Sequence, residues 1–257
     1  MKISTTIPVF NTNPKYLCEA LGSVLNQTYG VDEIILVNDG STRTETLQEL
    51  YNIHFWFKKN PVKVLWQNNK KISGALNTGI RNMTGDWWTG CSSDDRWLPN
   101  KIEEQVKFIE AHPEAKVIYS DWEFIDNEGF RIKAYYEPEF KDRFEAGKHI
   151  IREYFGNWSG LMIHKSVFDD IGLFNEAYPT REDYEFAIRV LTKHMMYRIP
   201  KILFQYRLHD EQITNSVKFG SRTAEAKKYC EMARALAIEH FGDEEDRKQF
   251  SQGGYNK

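Results

Sequence analysis

The chain has 257 residues, which is enough to bury one full hydrophobic core, with or without a small appendage. A hydrophobic fraction of 41% excludes an intrinsically disordered chain, and a net charge of −3 with dispersed signs excludes a typical nucleic-acid-binding protein. Three widely spaced cysteines form neither a zinc motif nor a dithiol motif, and they favour a reducing compartment. No apolar run is long enough to span a membrane and no signal-peptide core opens the chain, so we expect a soluble cytoplasmic protein.

Strands and helices alternate through the first hundred residues. Apolar and β-branched runs predict the strands, and apolar residues at helical spacing predict the helices. The predicted strands cover 2–10, 33–37, 62–66 and the start of 86–95, and the predicted helices cover 16–25, a segment from an N-cap at 41–42 to about 52, and 73–82. Short loops between alternating elements predict an α/β fold with a mostly parallel central sheet and helices on both faces.

The remainder of the chain is less regular. Its predicted elements are helices at 101–110 and 181–192, strands at 116–120 and 201–208, a hairpin at 122–134 with its turn at 126–129, and a long final helix at 221–241. Cys18 falls in a helical apolar pattern and Cys91 falls at a strand end. Both cysteines are predicted to be buried packing residues.

Two adjacent carboxylates, Asp94 and Asp95, follow the fourth predicted strand. Open α/β sheets bind ligands at the carboxyl ends of their strands, and adjacent acids repel each other, so this pair predicts a cation site. Polar residues elsewhere each have a structural interpretation when taken alone. Asp39 is a candidate turn former, Asp183 could complement a helix dipole, and His209 could be a hydrogen-bonded core histidine.

The order of six short motifs changes that interpretation. In chain order they are Ile7-Pro8-Val9-Phe10-Asn11, Ile34-Ile35-Leu36-Val37-Asn38-Asp39-Gly40-Ser41, Ala75-Leu76-Asn77-Thr78-Gly79-Ile80, Ser93-Asp94-Asp95-Arg96-Trp97-Leu98-Pro99-Asn100-Lys101, Glu182-Asp183 and Tyr206-Arg207-Leu208-His209. Together they closely resemble the family 2 glycosyltransferases, which are inverting enzymes of the GT-A fold. The resemblance covers roughly residues 1 to 215.

The resemblance implies a nucleoside-diphosphate-sugar donor and a divalent cation, Mn²⁺ or Mg²⁺, that neutralises the leaving diphosphate. Counting back from Pro99 places the last acid of the family's Asp-x-Asp motif, a metal ligand, at Asp94, with His209 as a second ligand. The first acid of that motif is replaced by Ser92. The implied donor-binding residues are Phe10, which would stack on the base, Asp39, Lys71, Ser92, Ser93 and Asp94. A carboxylate at Asp39 can accept the imide N–H of uracil or thymine, which favours a UDP- or dTDP-sugar.

The acceptor side follows from the same resemblance. Asp183 is the implied general base, which takes the proton of the attacking hydroxyl, and Glu182 is the alternative carboxylate. Trp158 matches the acceptor side of the cleft, where an indole face suits a sugar ring, although a core position is equally consistent with its sequence context. Asp95 and Glu182 are the remaining predicted acceptor-binding residues.

The motifs and the resemblance together predict a GT-A domain over 1–215, with a nucleotide-sugar-binding half at 1–120 and an acceptor-binding half at 121–215, followed by a helical extension at 216–257. The predicted activity is transfer of a sugar to a hydroxyl of a glycan or glycoconjugate, as in polysaccharide biosynthesis, with peripheral membrane contact left open. A catalytically inactive nucleotide-sugar-binding protein is the alternative that Ser92 suggests. A nucleotidyltransferase is disfavoured, because Asn11-Thr12-Asn13-Pro14 stands where such enzymes have a Gly-rich basic loop.

Overall fold

The computed structural model of the chain describes residues 1–57, 61–212 and 223–253. The strands are β1 (Ile3–Val9), β2 (Glu33–Asp39), β3 (Val62–Gln67), β4 (Trp87–Gly90), β5 (Arg96–Trp97), β6 (Val117–Ile125), β7 (Arg131–Tyr135), β8 (Met162–His164) and β9 (Met196–Arg207). The helices are α1 (Pro14–Leu25), α2 (Thr44–Trp56), α3 (Lys71–Asn82), α4 (Lys101–Ala111), α5 (Arg143–Ile150), α6 (Lys165–Ile171), α7 (Glu182–Lys193), α8 (Ala224–Phe241) and α9 (Glu244–Ser251), with a 3₁₀ turn at Trp158–Gly160.

All strands in the described part of the chain belong to one sheet, with the order β3-β2-β1-β4-β8-β6-β9-β5 and with β7 paired to β6. The four strands from β3 to β4 are parallel, and the β6–β9 pair is also parallel. The pairings of β8, β7 and β5 are antiparallel. The predicted α/β sheet is therefore confirmed, with its parallel pairing concentrated in the first half.

The strand β2 shows why the sheet has helices on both faces. Its apolar residues are fully buried, and alternate side chains enter different clusters. Ile34 and Leu36 pack with residues of α1 and α2, whereas Ile35 and Val37 pack with Ala75 of α3. A strand with this continuous apolar sequence needs cover on both sides.

The long helix α8 packs against α5 and α7 rather than extending away from them. Ala233, Ala237 and Phe241 belong to the same buried cluster as residues of α5 and α7. Gly147 of α5 allows this approach, because a Cβ there would lie 2.4 Å from the ring of Phe241. The predicted boundary at 215–216 and the predicted helix start at Ser221 lie outside the described residues. No helix of the described segments is both long and apolar enough to cross a bilayer.

Three local predictions need correction. The predicted N-cap at 41–42 is wrong, because α2 begins at Thr44 after Arg43. The last predicted strand begins at Met196 instead of 201, since the extra residues around Pro200 form a bulge against β6 that interrupts the strand pattern. Cys91 is buried as predicted, but Cys18 is exposed on α1.

A buried lysine lies beneath the end of β4. Lys101 is fully buried, and its Nζ donates to Thr89 Oγ1 at 3.0 Å and to Gln105 Oε1 at 2.9 Å. The ammonium lies 4.0 Å from the ring centroid of Trp97. Burial lowers the pKa of Lys101 to about 7, with a small opposing effect from Cys91.

This lysine predicts a pH-dependent stability. Between its folded pKa of about 7 and its unperturbed value of 10.5, the unfolded chain binds a proton that the folded chain does not. The free energy of unfolding therefore rises with pH in this window, by up to about 1.4 kcal/mol per pH unit, and the effect is constant below it. Urea unfolding between pH 7.5 and 9.5 should show this slope as the difference between wild type and Lys101→Met. The exposed Lys63, replaced in the same way, is the control, and a flat difference for Lys101 would contradict the prediction.

Candidate active site

The predicted donor-binding residues come together at one edge of the sheet. The carboxyl ends of β1, β2 and β4 meet there because these strands are parallel neighbours. A cleft of about 360 Å³ opens at this edge. Its lining includes every predicted donor-binding residue together with the second predicted metal ligand: Phe10, Asp39, Lys71, Ser92, Ser93, Asp94 and His209.

Asp39, the last residue of β2, is fixed at one end of this donor cleft. Its side chain is 3% exposed, and its Oδ1 accepts hydrogen bonds from Gln67 Nε2 at 2.7 Å and from the Lys70 backbone N–H at 2.7 Å. Burial raises the pKa of Asp39, and these hydrogen bonds partly offset that increase. Phe10 is 47% exposed and lines the same cleft, so its ring is accessible to a base.

Asn11 joins the loops after β1 and β2, and the sequence interpretation assigned it no such role. Its Oδ1 accepts hydrogen bonds from the backbone N–H groups of Thr42 at 2.7 Å and Arg43 at 2.9 Å. Its own N–H donates to Ser41 Oγ at 3.0 Å. The backbone at Asn11 has a φ of 53°, a left-handed conformation that asparagine tolerates better than most residues. Asn11 therefore connects two of the loops that line the donor cleft.

Asp94 makes contacts on both of its carboxylate oxygens. Oδ1 accepts a hydrogen bond from Ser92 Oγ at 2.5 Å, and Oδ2 lies 2.9 Å from His209 Nε2. Burial alone would raise the pKa of Asp94, but the hydrogen bonds from His209 and Ser92 lower it overall. The two predicted metal ligands are thus adjacent, and Ser92, which replaces a family carboxylate, orients one of them.

Asp95 differs from its neighbour although both belong to the predicted cation site. Its carboxylate is 2% exposed, with Oδ1 accepting from the Arg207 backbone N–H at 3.0 Å and Oδ2 accepting from Ser159 Oγ at 2.9 Å. Burial and the charge of Asp94 raise the pKa of Asp95 well above its ordinary value. Asp95 therefore joins β9 to the 3₁₀ turn, and its partners are protein groups. Its predicted acceptor contact stays a prediction.

Arg207, at the end of β9, is a second residue whose role the sequence interpretation missed. It is fully buried. Its Nε donates to the Asp94 carbonyl at 2.8 Å, its Nη1 donates to the carbonyls of Asp126 at 3.3 Å and Asn127 at 3.2 Å, and its Nη2 pairs with Glu19. One guanidinium thus connects the Asp94 backbone, the β6–β7 turn and α1.

A second cleft, of about 170 Å³, contains the predicted acceptor-side residues Asp95, Trp158, Glu182 and Asp183. Trp158 is 8% exposed and packs on Gly90, where a Cβ would lie 2.5 Å from its ring. The ring of Trp158 is therefore mostly packed within the wall of the cleft, and little of its face is open to a sugar ring.

Glu182 and Asp183 begin α7, as predicted. Burial, followed by the charge of Asp183, raises the pKa of Glu182 to about 8, so Glu182 holds its proton at neutral pH. Burial also raises the pKa of the half-buried Asp183, while the charge of Arg181 opposes that increase. Asp183 Oδ1 accepts the Tyr184 backbone N–H at 2.8 Å. Burial thus raises the pKa of both acids, and the charge of Arg181 is the largest opposing effect at Asp183.

The two clefts adjoin. Ser92 and Asp94 line both, and so do Ile72, Pro179 and Gln212. A ligand in the donor cleft would therefore meet a ligand in the acceptor cleft beside Asp94.

The family model for glycosyl transferase family 2 matches residues 4–172, which is more than half of the chain. The chain belongs to glycosyl transferase family 2. An uncharacterized glycosyltransferase of Rickettsia typhi is 32% identical over 219 residues, covering 83% of this chain and 66% of that protein. One from Rickettsia felis is 32% identical over 217 residues, covering 82% of this chain but 35% of the relative. The chain thus spans about a third of the length of the second relative.

Solved structures confirm the fold of this family 2 member. The Staphylococcus aureus TarS fragment 1–349 in complex with UDP-GlcNAc superposes with a TM-score of 0.71 at 19% identity, covering 97% of this chain and 70% of the other. The same fragment in complex with UDP gives a TM-score of 0.68 at 19% identity, covering 97% and 69%. The GT-A fold that the sequence predicted is therefore confirmed.

The ligand set at Asp94 is compatible with a divalent cation but does not enclose one. Within the described segments, no group of three or more His, Cys, Asp or Glu side chains is arranged to hold a metal. Asp94 Oδ2 and His209 Nε2 offer one carboxylate oxygen and one imidazole nitrogen, a pair that manganese accepts. The remaining ligands would have to be supplied by a bound diphosphate and water.

Proposed function

We propose that this chain is an inverting glycosyltransferase that moves a sugar from a UDP- or dTDP-sugar to a hydroxyl group of a glycan or glycoconjugate. The observation that supports it most is the junction of the two clefts at Ser92 and Asp94, with Asp183 on the acceptor side. A donor with its base at Asp39 and its diphosphate at Asp94 would present its sugar to a hydroxyl held beside Asp183.

In the proposed reaction, the acceptor oxygen forms a bond to the anomeric carbon as the bond from that carbon to the diphosphate oxygen breaks. Asp183 receives the hydroxyl proton, and attack from the face opposite the diphosphate inverts the anomeric configuration. Glu182 is the less suitable base at neutral pH, since burial and the charge of Asp183 raise its pKa to about 8. A manganese or magnesium ion held by Asp94 and His209 would supply Lewis-acid stabilisation of the leaving diphosphate.

The structural neighbours support a uridine nucleotide. TarS is described in complexes with UDP and with UDP-GlcNAc, and it shares the GT-A fold with this chain. A buried carboxylate at Asp39 would accept the N3–H of uracil while its other hydrogen bonds fix its orientation. The intact Asp183 and the adjoining clefts count against a protein that binds sugar nucleotides without transferring them.

Nucleotide binding tests this function, and Asp39→Asn sharpens the test. We expect calorimetry with Mn²⁺ to show binding of UDP to the wild type and weaker binding of CDP. In Asp39→Asn, Gln67 and Lys70 would hold the amide oxygen and leave the NH₂ group facing the base, where it repels the N3–H of uracil and suits the N3 acceptor of cytosine. The preference for UDP over CDP should fall by about tenfold or more.

The exposed Asp169 on α6 provides a matched control, because Asp169→Asn makes the same chemical change away from both clefts. Absence of UDP binding to the wild type would overturn the proposed function. An unchanged base preference in Asp39→Asn would overturn the role of Asp39 while leaving the function standing.

A further inference from the structure

Three residues other than glycine have a positive φ among the described residues, and all three line the two clefts. They are Asn11 at 53°, Lys71 at 64° and Arg181 at 64°. Such a backbone conformation is unfavourable for residues other than glycine and persists where surrounding structure or function requires it. Asn11 has a structural explanation in its hydrogen bonds to the neighbouring loop. Arg181 has no comparable explanation.

The side chain of Arg181 is also unusual in its contacts. Its Nε is buried, yet within the described part of the chain this nitrogen has no hydrogen-bond partner. A buried N–H group without a partner is unfavourable, and more so when the group is charged. By contrast, Arg189 of α7 donates to Glu185 and to the carbonyls of Ile171 and Leu173. Of these two arginines, Arg181 is the one with a buried Nε–H that can donate to a ligand.

The position of Arg181 indicates which ligand. Arg181 lines the acceptor cleft and is not among the residues of the donor cleft. Of the described residues that line the acceptor cleft, it is the one cationic side chain. It directly precedes the acids Glu182 and Asp183, but no ion pair within 4.0 Å forms between Arg181 and either acid in the described structure. Asp183 therefore stays available as a base while the guanidinium stays available for another anion.

We propose that Arg181 binds an anionic group of the acceptor, a carboxylate or a phosphate, close to the hydroxyl that Asp183 deprotonates. The inference rests on the proposed function and adds the chemical class of the acceptor. A guanidinium binds either anion through two parallel N–H donors, which would satisfy the buried Nε. The alternative source of an anion is the diphosphate of the donor, which the experiment separates from the acceptor.

The test compares charged and neutral probes on the protein saturated with UDP and the diamagnetic Mg²⁺. Ligand-observed NMR titrations would use methyl glucuronoside against methyl glucoside, and glycerol 1-phosphate against glycerol. We expect the anionic member of at least one pair to bind about tenfold tighter or more to the wild type. Arg181→Gln should remove this preference while the Kd for UDP changes less than twofold, and Arg181→Lys should retain part of it. Arg247→Gln, an exposed arginine on α9, is the matched control.

Equal binding of both members of each pair to the wild type would overturn the inference. The inference would also be overturned if Arg181→Gln lost affinity for UDP by the same factor as it lost affinity for the anionic probe. That result would mean that the guanidinium binds the donor. Arg181→Gly removes the same charge and accepts the positive φ without strain, so it replaces the glutamine variant if that protein is unstable. If the wild type did not bind UDP at all, the proposed function itself would be refuted. This outcome is therefore distinct from a failure of the inference about Arg181.

Discussion

Replacing Asp183 with asparagine is expected to lower kcat by about a hundredfold to ten-thousandfold, with the Kd for UDP unchanged. The amide cannot take the proton of the attacking hydroxyl, and burial, the largest cause of the raised pKa of Glu182, persists in the variant and makes Glu182 a poor replacement. Asp183 lines the acceptor cleft but not the donor cleft, so nucleotide binding should be preserved. Transfer assays at pH 7 and calorimetry with UDP would measure the two quantities on the same preparation.

Two comparisons make the result specific. Glu182→Gln should lower kcat far less than Asp183→Asn, because at pH 7 it replaces a neutral acid by a neutral amide. Asp169→Asn, on the exposed surface of α6, should leave both quantities unchanged. Turnover in Asp183→Asn close to that of the wild type would exclude Asp183 as the base.

The second large effect is on stability. Arg207→Met should lower the free energy of unfolding by about 3 kcal/mol, since it removes the donor to the Asp94 and Asn127 carbonyls and leaves Glu19 without its buried partner. For a chain of this size the loss corresponds to a decrease in Tm of about 6 to 12 °C. Urea unfolding and differential scanning calorimetry would measure both.

Arg81→Met is the matched control for that substitution. Arg81 has a 54% exposed side chain and pairs at 3.5 Å with Glu176, whose side chain is 42% exposed, a surface arrangement that contributes about 1 kcal/mol or less. A decrease in Tm for Arg207→Met no larger than that for Arg81→Met would show that the buried guanidinium is not required for stability.

The donor side of the site was predictable because its signals are local. Asp39 ends β2 and Asp94 follows β4, and these two strands flank β1 in parallel, so their carboxyl ends lie at one edge of the sheet. The resemblance to a known family then identified the roles that these positions usually have. The alternation of elements predicted the first half of the sheet for the same reason, since each strand and helix pattern lies within a short segment.

The remaining features depend on contacts between distant parts of the chain. Arg207 bonds to Glu19 across 188 positions and to Asp94 across 113, and nothing in its local sequence shows this. Asp94 lines both clefts whereas Asp95 lines only the acceptor cleft, and the two acids lie in a turn in which the Asp95 N–H donates to the Ser92 carbonyl at 3.2 Å. The positive φ of Arg181 likewise depends on tertiary structure. An arginine gives no sequence signal for this backbone conformation, whereas a glycine or an asparagine would.

The segment that matches the family model is shorter than the segment that forms the sheet, as the position of β9 shows. β9 lies between β6 and β5, so it is an interior strand although it begins at Met196, beyond the last matched residue 172. A fragment cut at residue 172 would leave β6 with an unpaired edge along nearly its whole length. It would also lack Asp183 and His209. Expression of the family-matched segment alone should therefore yield an aggregating chain, and any exchange of this domain between proteins needs to include residues through at least the end of β9.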